Sequence, residues 1–303
     1  MTGGARSRWA GLITESRNPR SRRLDALPTE RAVALLLDED RRALVAAGRE
    51  HRSVARAARL AASVLEAGGG LVLLGAGTSG RLAVLEAAEC PPTFGSDPAR
   101  IRAVMAGGSE SVFSSQEGAE DREDAGREQG GRLGPKDLLI GISASSVTPF
   151  VRGALESARA RGAKTVLVTC APGRGLARLA DVVIAVRSGP EVLTGSTRLK
   201  AGSATKAVLN AITTAAMVRL GKAYENLMVD LKPTSAKLVD RTRRIVAAAT
   251  GRSDAEVARL LADAGGEVKT AIVMSKLAVS APEARARLAR ARGHVRKALG
   301  RKR

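Results

Sequence analysis

Five short apolar runs recur between residues 71 and 186: "LVLLGA" (71–76), "IRAVMA" (101–106), "LLIGIS" (138–143), "TVLVTC" (165–170) and "VVIAV" (182–186). In most of them no polar residue interrupts the run, so both faces of each strand need cover. Strands of that kind belong to parallel sheets with helices on both sides. The segments between them have helical spacing, at 79–89 and 149–161, and the acidic stretch 109–130 shares the pattern. The expectation is an α/β doubly wound parallel sheet flanked by helices. Around it, 29–67 reads as helix with a break near Asp38–Asp40, and 196–221 as one long helix. From 236 the chain reads as helices 236–249, 253–264, 267–276 and 281–299, a small C-terminal helical domain. The division expected is 1–57 (a polar arm and helices), 58–235 (the sheet domain) and 236–303.

Composition narrows the function classes. Aromatic residues are 2% of the 303, too few to build stacking platforms for single-stranded nucleic acid. The formal net charge is +20, with basic residues densest at Arg17–Arg23 and Arg285–Arg303. A solvated basic surface and a nucleic-acid surface both fit such a charge; the spread of the basic residues favours the first, without a specific nucleic-acid partner. Cys90 and Cys170 form no C-x-x-C pair, which fits a reducing cytoplasm. No apolar run is long enough for a membrane span, and the first residues lack the apolar core of a signal peptide.

The first run leads into Gly75, Gly77 and Gly80, the G-x-G-x-x-G spacing of dinucleotide loops. Such a site wants an acidic residue at the end of the second strand, which here ends "VMAGG". Instead, hydroxyls gather at three junctions that lead into helices: Thr78 and Ser79; Ser143, Ser145, Ser146 and Thr148; and Thr194, Ser196 and Thr197. Helix N-termini offer unsatisfied N–H groups and a positive dipole end, so the junctions suit one phosphate monoester. One junction alone would favour helix capping; three in one α/β domain favour the phosphate reading.

"GAGTSGR" followed by "SASSVTP" resembles the sugar isomerase (SIS) domain, which binds phosphosugars. "GAGTSGRLAVLEAAECPPTFG", "EGAED", "GPEVLTGSTRLKAGSATKAVLN" and "NLMVDLKPTSAKL" together resemble the N-acetylmuramic acid 6-phosphate etherase family, over about residues 12–300. The resemblance implies an SIS-type sheet and cleavage of the lactyl ether to N-acetylglucosamine 6-phosphate and D-lactate. It implies no metal or redox cofactor, and a homodimer acting on a small phosphosugar. Glu89, in "AAECPP", and Glu120, in "EGAED", match the family's catalytic glutamates. Two proton-exchanging groups are what an elimination beside a latent aldehyde needs. Pro91 and Pro92 are expected to end the helix of Glu89, with Glu86 on the same face. Thr78, Ser79, Ser143, Ser145, Thr148 and Ser196 are the candidate phosphate and substrate hydroxyls. Lys200 is a candidate for the phosphate or substrate carboxylate.

At one point the chain departs from the SIS pattern Ser-x-Ser-Gly-x-Thr: Ser146 stands where glycine is usual, and Val147 where this family often has Arg. Glycine there accepts a positive φ. A sugar-phosphate sensor without chemistry is the alternative, and retention of both glutamates favours the enzyme. If helix 79–89 is continuous, Ser79 and Glu89 stand about 15 Å apart along it, farther than phosphate to C3 in a hexose 6-phosphate. Either that helix breaks, or the phosphate relies on Ser143–Thr148 with the chain folded differently, or Glu89 comes from a second subunit, and the last is the expectation.

Overall fold

The computed structural model describes residues 11–171, 173–231 and 235–300. Residues 1–10 of the expected arm, 232–234 of "NLMVDLKPTSAKL" and 301–303 of the basic tail lie outside them. The described chain divides into two compact units, Met1–Ala87 with Ala99–Ile212, and Ala88–Pro98 with Thr213–Arg303.

The first unit holds a parallel sheet of β1 (Leu71–Gly75), β2 (Ile101–Met105), β3 (Leu138–Ile142), β4 (Lys164–Thr169) and β5 (Val182–Ala185) in the order β2-β1-β3-β4-β5. All five expected strands are present, each within a residue or so of its expected bounds. β1 and β3 are buried at every position, which is why their sequences carry no alternation. Leu71 pairs with Ile101 on one side and Leu138 on the other. On one face Val72, Leu74, Leu139 and Leu167 meet Phe150, Val151, Ala154 and Leu155 of α5 (Pro149–Ala160). α2 (His51–Glu66) covers strands with a stripe of Val54, Ala57, Ala58, Ala61 and Ala62. With so few aromatics, alanine lets these helices approach closely.

α4 (Glu123–Gly131) lies against α5 with no room for a methyl group at the crossing. A Cβ on Gly126 would sit 2.0 Å from Phe150 O, one on Gly130 2.2 Å from Ala154 O, and one on Gly153 2.2 Å from Glu123 O.

Several element bounds differ from expectation. α1 (Thr29–Arg49) runs straight through Asp38–Asp40, and the break falls at Glu50. Two of those acids are neutralised in place, Asp38 by Arg20 and Arg41 and Glu39 by Lys200, while Asp40 accepts a hydrogen bond from Ser203 Oγ. Residues 11–27 form three 3-10 turns held to the body instead of a loose arm. Ser21 Oγ donates to Val192 O (2.7 Å), Gly195 N–H to Thr14 O (3.1 Å), and Asn18 Nδ2 to Pro190 O (3.1 Å). α3 (Gly77–Phe94) continues through Pro91 and Pro92. The ring-fixed φ of proline is compatible with the helix, and Gly95 N–H closes the last turn on Pro91 O at 2.9 Å, while the bonds that Pro91 and Pro92 N–H would have made to Ala87 and Ala88 are lost. Within the acidic stretch only α4 is α-helix; Gly107, Gly108 and Gly118, at φ +81°, +77° and +72°, break the remainder into 3-10 turns at Ser109–Val112 and Ala119–Asp121. α6 (Arg174–Ala177) is a single turn, and α7 (Lys200–Arg219) starts four residues later than expected, after Gly195 at φ +81°.

The second unit contains a two-stranded antiparallel ribbon, β6 (Ala223–Tyr224) with β7 (Leu227–Met228), and α8 (Ala236–Thr250), α9 (Asp254–Asp263), α10 (Val268–Leu277), α11 (Ala281–Arg290) and α12 (Val295–Ala298). They enclose a core of Tyr224, Val246, Val257, Ile272 and Leu288. The expected helix 281–299 is two pieces because Arg292 and Gly293 adopt φ +50° and +76°. Among the described residues no helix is long and apolar enough to cross a membrane.

Gly126→Ala is expected to cost roughly 1–3 kcal/mol in urea unfolding, because the methyl meets backbone rather than a movable side chain. Gly48→Ala, in α1 with nothing within 4 Å of the new methyl, should instead stabilise by about 1 kcal/mol.

Candidate active site

β1 has β2 on one side and β3 on the other, so the chain leaves β1 and β3 in opposite lateral directions. In open parallel sheets a crevice opens there, beyond the carboxyl ends of the strands. After β1 the chain turns into α3 almost at once. Gly77 takes φ +54°, and a Cβ on Gly80 would lie 2.7 Å from Gly75 O and 2.8 Å from Met105 Cγ. The glycine spacing therefore serves close strand–helix contact. Thr78 and Ser79 are half-buried in the first turn of α3. Gly202 of α7 joins this turn to the third hydroxyl cluster: its Cβ position is 3.6 Å from both Thr78 Cγ2 and Thr197 O. Ser196 is half-buried in the turn leading to α7.

After β3 the loop is knitted by its own hydroxyls. Ser143 Oγ and Thr148 Oγ1 are 2.8 Å apart, and Ser146 N–H donates to Ser143 O (3.2 Å). Thr148 occupies the N-cap position of α5, yet its side chain makes no cap hydrogen bond. Capping therefore does not account for this hydroxyl. Ser146 adopts φ +60°, in the region glycine favours, and its buried Oγ lies 2.8 Å from Thr169 Oγ1 of β4. The departure from the SIS pattern thus keeps the backbone shape and adds a side-chain anchor.

Two clefts open at this end of the sheet, and Glu120 lines both. One, of about 310 Å³, is bounded by Gly77, Arg81, Ser111, Gln116, Glu117 and Glu120. The other, of about 260 Å³, is bounded by Leu12, Glu15, Glu120, Asp121, Ser145 and Thr148 among others. Glu120 stands exposed on the 3-10 turn that follows Gly118. Arg81 ties that segment to α3: Nε donates to Val112 O (2.8 Å) and Nη2 to Ser111 O (2.9 Å). Glu15 approaches the third hydroxyl cluster, 3.2 Å from the Cβ position of Gly195.

Of the expected residues, Glu120, Ser145 and Thr148 meet in one cleft, with Ser143 beneath them in the same loop. Thr78, Ser79 and Ser196 belong to the adjoining helix starts and line neither of these two clefts. Glu89 is exposed near the end of α3, whereas Glu86 is buried and accepts from Asn210 Nδ2 at 2.6 Å, so the two carboxylates are not neighbours on one open face.

Lys200 needs correction. It is buried, and its ammonium meets Glu39 Oε2 at 2.5 Å. Glu39 is buried too and gathers Arg20 (2.5 Å), Asn18 (2.9 Å) and Arg42 (3.3 Å). Burial works against the Glu39 charge, but the hydrogen bonds from Lys200, Arg20 and Asn18 outweigh it and hold its pKa below the ordinary value. A buried ammonium needs such a partner, so Lys200 anchors α7 to α1 instead of facing a phosphate. Glu191, unremarked in the sequence reading, caps α7 through Ala201 N–H (2.9 Å), and burial pushes its carboxyl pKa up. Arg81 and Glu15 were likewise missed. Arg81 sits inside the quoted "GAGTSGR", and only the loop it grips reveals its use.

The chain matches the glucokinase regulatory protein N-terminal SIS domain over residues 53–159 and the SIS domain over residues 116–215. It is 50% identical to the N-acetylmuramic acid 6-phosphate etherase of Rubrobacter xylanophilus over 97% of each chain. To that of Cutibacterium acnes it is 48% identical, over 94% of this chain and 95% of the relative. Among solved structures, the Vibrio vulnificus NanR protein complexed with ManNAc-6P superposes with a TM-score of 0.44 at 15% identity, over 63% of this chain and 64% of that one. The SIS-domain match over residues 116–215 makes the parallel sheet one of SIS type.

Lys200→Met is expected to lower stability by about 1–3 kcal/mol in urea at neutral pH, since the buried Glu39 loses one charged partner while keeping Arg20, Arg42 and Asn18, and Glu39→Leu/Lys200→Met should recover much of the loss. Because the Glu39 pKa is depressed, its contribution is present above the ordinary carboxylate value of about 4.3 and is lost as pH falls through the lower folded value. The double variant should lose less stability on acidification than the wild type.

Proposed function

This chain belongs to the N-acetylmuramic acid 6-phosphate etherase family, and from that premise we infer how its residues divide the reaction. The protein is a carbon–oxygen lyase of amino sugar recycling. It cleaves the D-lactyl ether of N-acetylmuramic acid 6-phosphate, giving N-acetylglucosamine 6-phosphate and D-lactate. In the open-chain sugar the C2 proton is acidified by the C1 aldehyde. Glu120 removes it. Glu89 protonates the lactyl oxygen as the C3–O bond breaks; its carboxylate then takes a proton from the water that adds to C3 of the unsaturated aldehyde, while Glu120 returns its proton to C2.

One observation carries the assignment of Glu120: it lies on the wall shared by the Ser145–Thr148 cleft and the Gly77–Arg81 cleft. A sugar whose phosphate rests on the β3 loop would present its C2 and C3 near that wall. The phosphate takes the Ser143, Ser145 and Thr148 hydroxyls and the N-terminal N–H groups of α5. Thr78, Ser79 and Ser196, at the adjoining helix starts, complete the polar lining when substrate is bound. No cofactor takes part in these steps, and the protein works in the cytoplasm, where its two buried thiols, Cys90 and Cys170, stay reduced.

The enzyme acts as a homodimer with shared sites. This reading is supported by the family resemblance, and Glu89 stands exposed near the end of α3, open to a second copy. Glu89 serves the sugar held by that copy.

Purified protein should release D-lactate from N-acetylmuramic acid 6-phosphate without added metal, NAD or ATP, and in ¹⁸O-water the label should enter at C3. Unlabelled product would contradict elimination followed by water addition. Glu89→Gln should stop lactate release while C2 still exchanges with deuterated solvent; Glu120→Gln should abolish that exchange. For site sharing, inactive Glu89→Gln and inactive Ser145→Ala/Thr148→Val proteins are mixed and allowed to exchange subunits. Random 1:1 pairing into dimers should restore roughly a quarter of wild-type activity. No recovery despite proven exchange would place Glu89 and its phosphate loop in one chain.

A further inference from the structure

We propose that Arg81 receives the carboxylate of the lactyl group and is thereby the residue that separates a muramyl from a glucosaminyl sugar phosphate. The assignment rests on the etherase reading. That substrate carries two anionic ends, a phosphate at C6 and a carboxylate on the C3 substituent, and the reacting C2–C3 bond lies between them. Glu120 must reach that bond, and Glu120 is the residue common to both clefts. With the phosphate on the hydroxyl loop of the Ser145–Thr148 cleft, the C3 substituent enters the other cleft.

That cleft sets one cation, Arg81, beside two carboxylates, Glu117 and Glu120. Arg81 carries the only positive charge among the residues lining the two clefts. It stands in the first turns of α3, where the helix dipole adds positive potential. Its hydrogen bonds to Ser111 O and Val112 O use one edge of the guanidinium and hold its plane still. The remaining N–H groups keep the planar fork that matches a carboxylate, with little side-chain freedom left to lose on binding.

Ser111 supplies an independent observation. It lines the same cleft, and its Oγ is buried with no hydrogen-bond partner among the described residues. Gly107, whose Cβ position lies 2.1 Å from that oxygen, leaves it room. A buried hydroxyl without a partner calls for a ligand group or water. Glu117 lines the cleft as well, but it is exposed, so solvent and salt screen its charge.

The test compares N-acetylmuramic acid 6-phosphate with its analogue bearing a carboxamide in place of the lactyl carboxylate. Wild type should favour the acid by about 30-fold or more in kcat/KM, the scale of a charge-assisted hydrogen bond. In Arg81→Met that preference should collapse to within about threefold, and Arg81→Lys should fall between. Binding of N-acetylglucosamine 6-phosphate, which lacks the lactyl group, should be unchanged in Arg81→Met, and this also reports that the variant is folded. If both substrates slow equally in Arg81→Met and the acid preference persists, Arg81 only anchors the loop and the proposal is overturned. Weakened product binding in both variants would overturn it too. Failure of wild type to release lactate from either compound would instead remove the etherase reading itself.

Discussion

Everything at the reactive end of this protein depends on β1 being hydrogen-bonded on both sides. Leu71 to Gly75 pair residue for residue with β2 and β3, and all five positions are buried. A strand so enclosed has one exit, and the chain must enter α3 without a wide loop. Gly75 and Gly80 permit that by letting strand and helix touch through backbone. The same turn sets the first cleft, and the opposite departure from β3 sets the second. Glu120 reaches both because its segment crosses the gap between them.

A second constraint is electrostatic. Glu39 and Lys200, both buried, join α1 to the start of α7, and Asn18 and Arg20 bring the N-terminal turns to the same carboxylate. This network explains why residues 11–27 are ordered parts of the body. It also brings Leu12 and Glu15 to the wall of the Ser145–Thr148 cleft. Such a cluster contributes modest net stability, because desolvation offsets attraction, but losing one member is costly. Its chief effect is to specify which segments meet.

The sheet was legible because burial on both faces leaves a local signature that needs no knowledge of the neighbours. The hydroxyl loop after β3 was legible for a similar reason, since Ser143 to Thr148 act on one another within a few residues. What failed to show was long-range. Lys200 reads as an available cation until Glu39, 161 residues away, is placed beside it. Arg81 reads as a helix surface residue until Ser111 and Val112 arrive at its side chain. The helical pattern of 109–130 misled because charge spacing was followed where three left-handed glycines decide the backbone. Pro91 and Pro92 misled in the other direction: α3 runs through both and ends two residues later, giving up two backbone hydrogen bonds within its last turns.

Glu120 hangs on a segment fastened at both ends. Arg81 grips it at Ser111 and Val112, and Gly126 docks it against Phe150 O where α4 begins. Between those fastenings lie irregular residues and 3-10 turns that few backbone hydrogen bonds stiffen. Such a span behaves as a strap pinned at two points: its ends are fixed, so the carboxylate stays at the wall the two clefts share while the turns between are free of a rigid ladder. In the role proposed for Glu120, a proton acceptor mounted this way holds its place without any domain of the protein having to move.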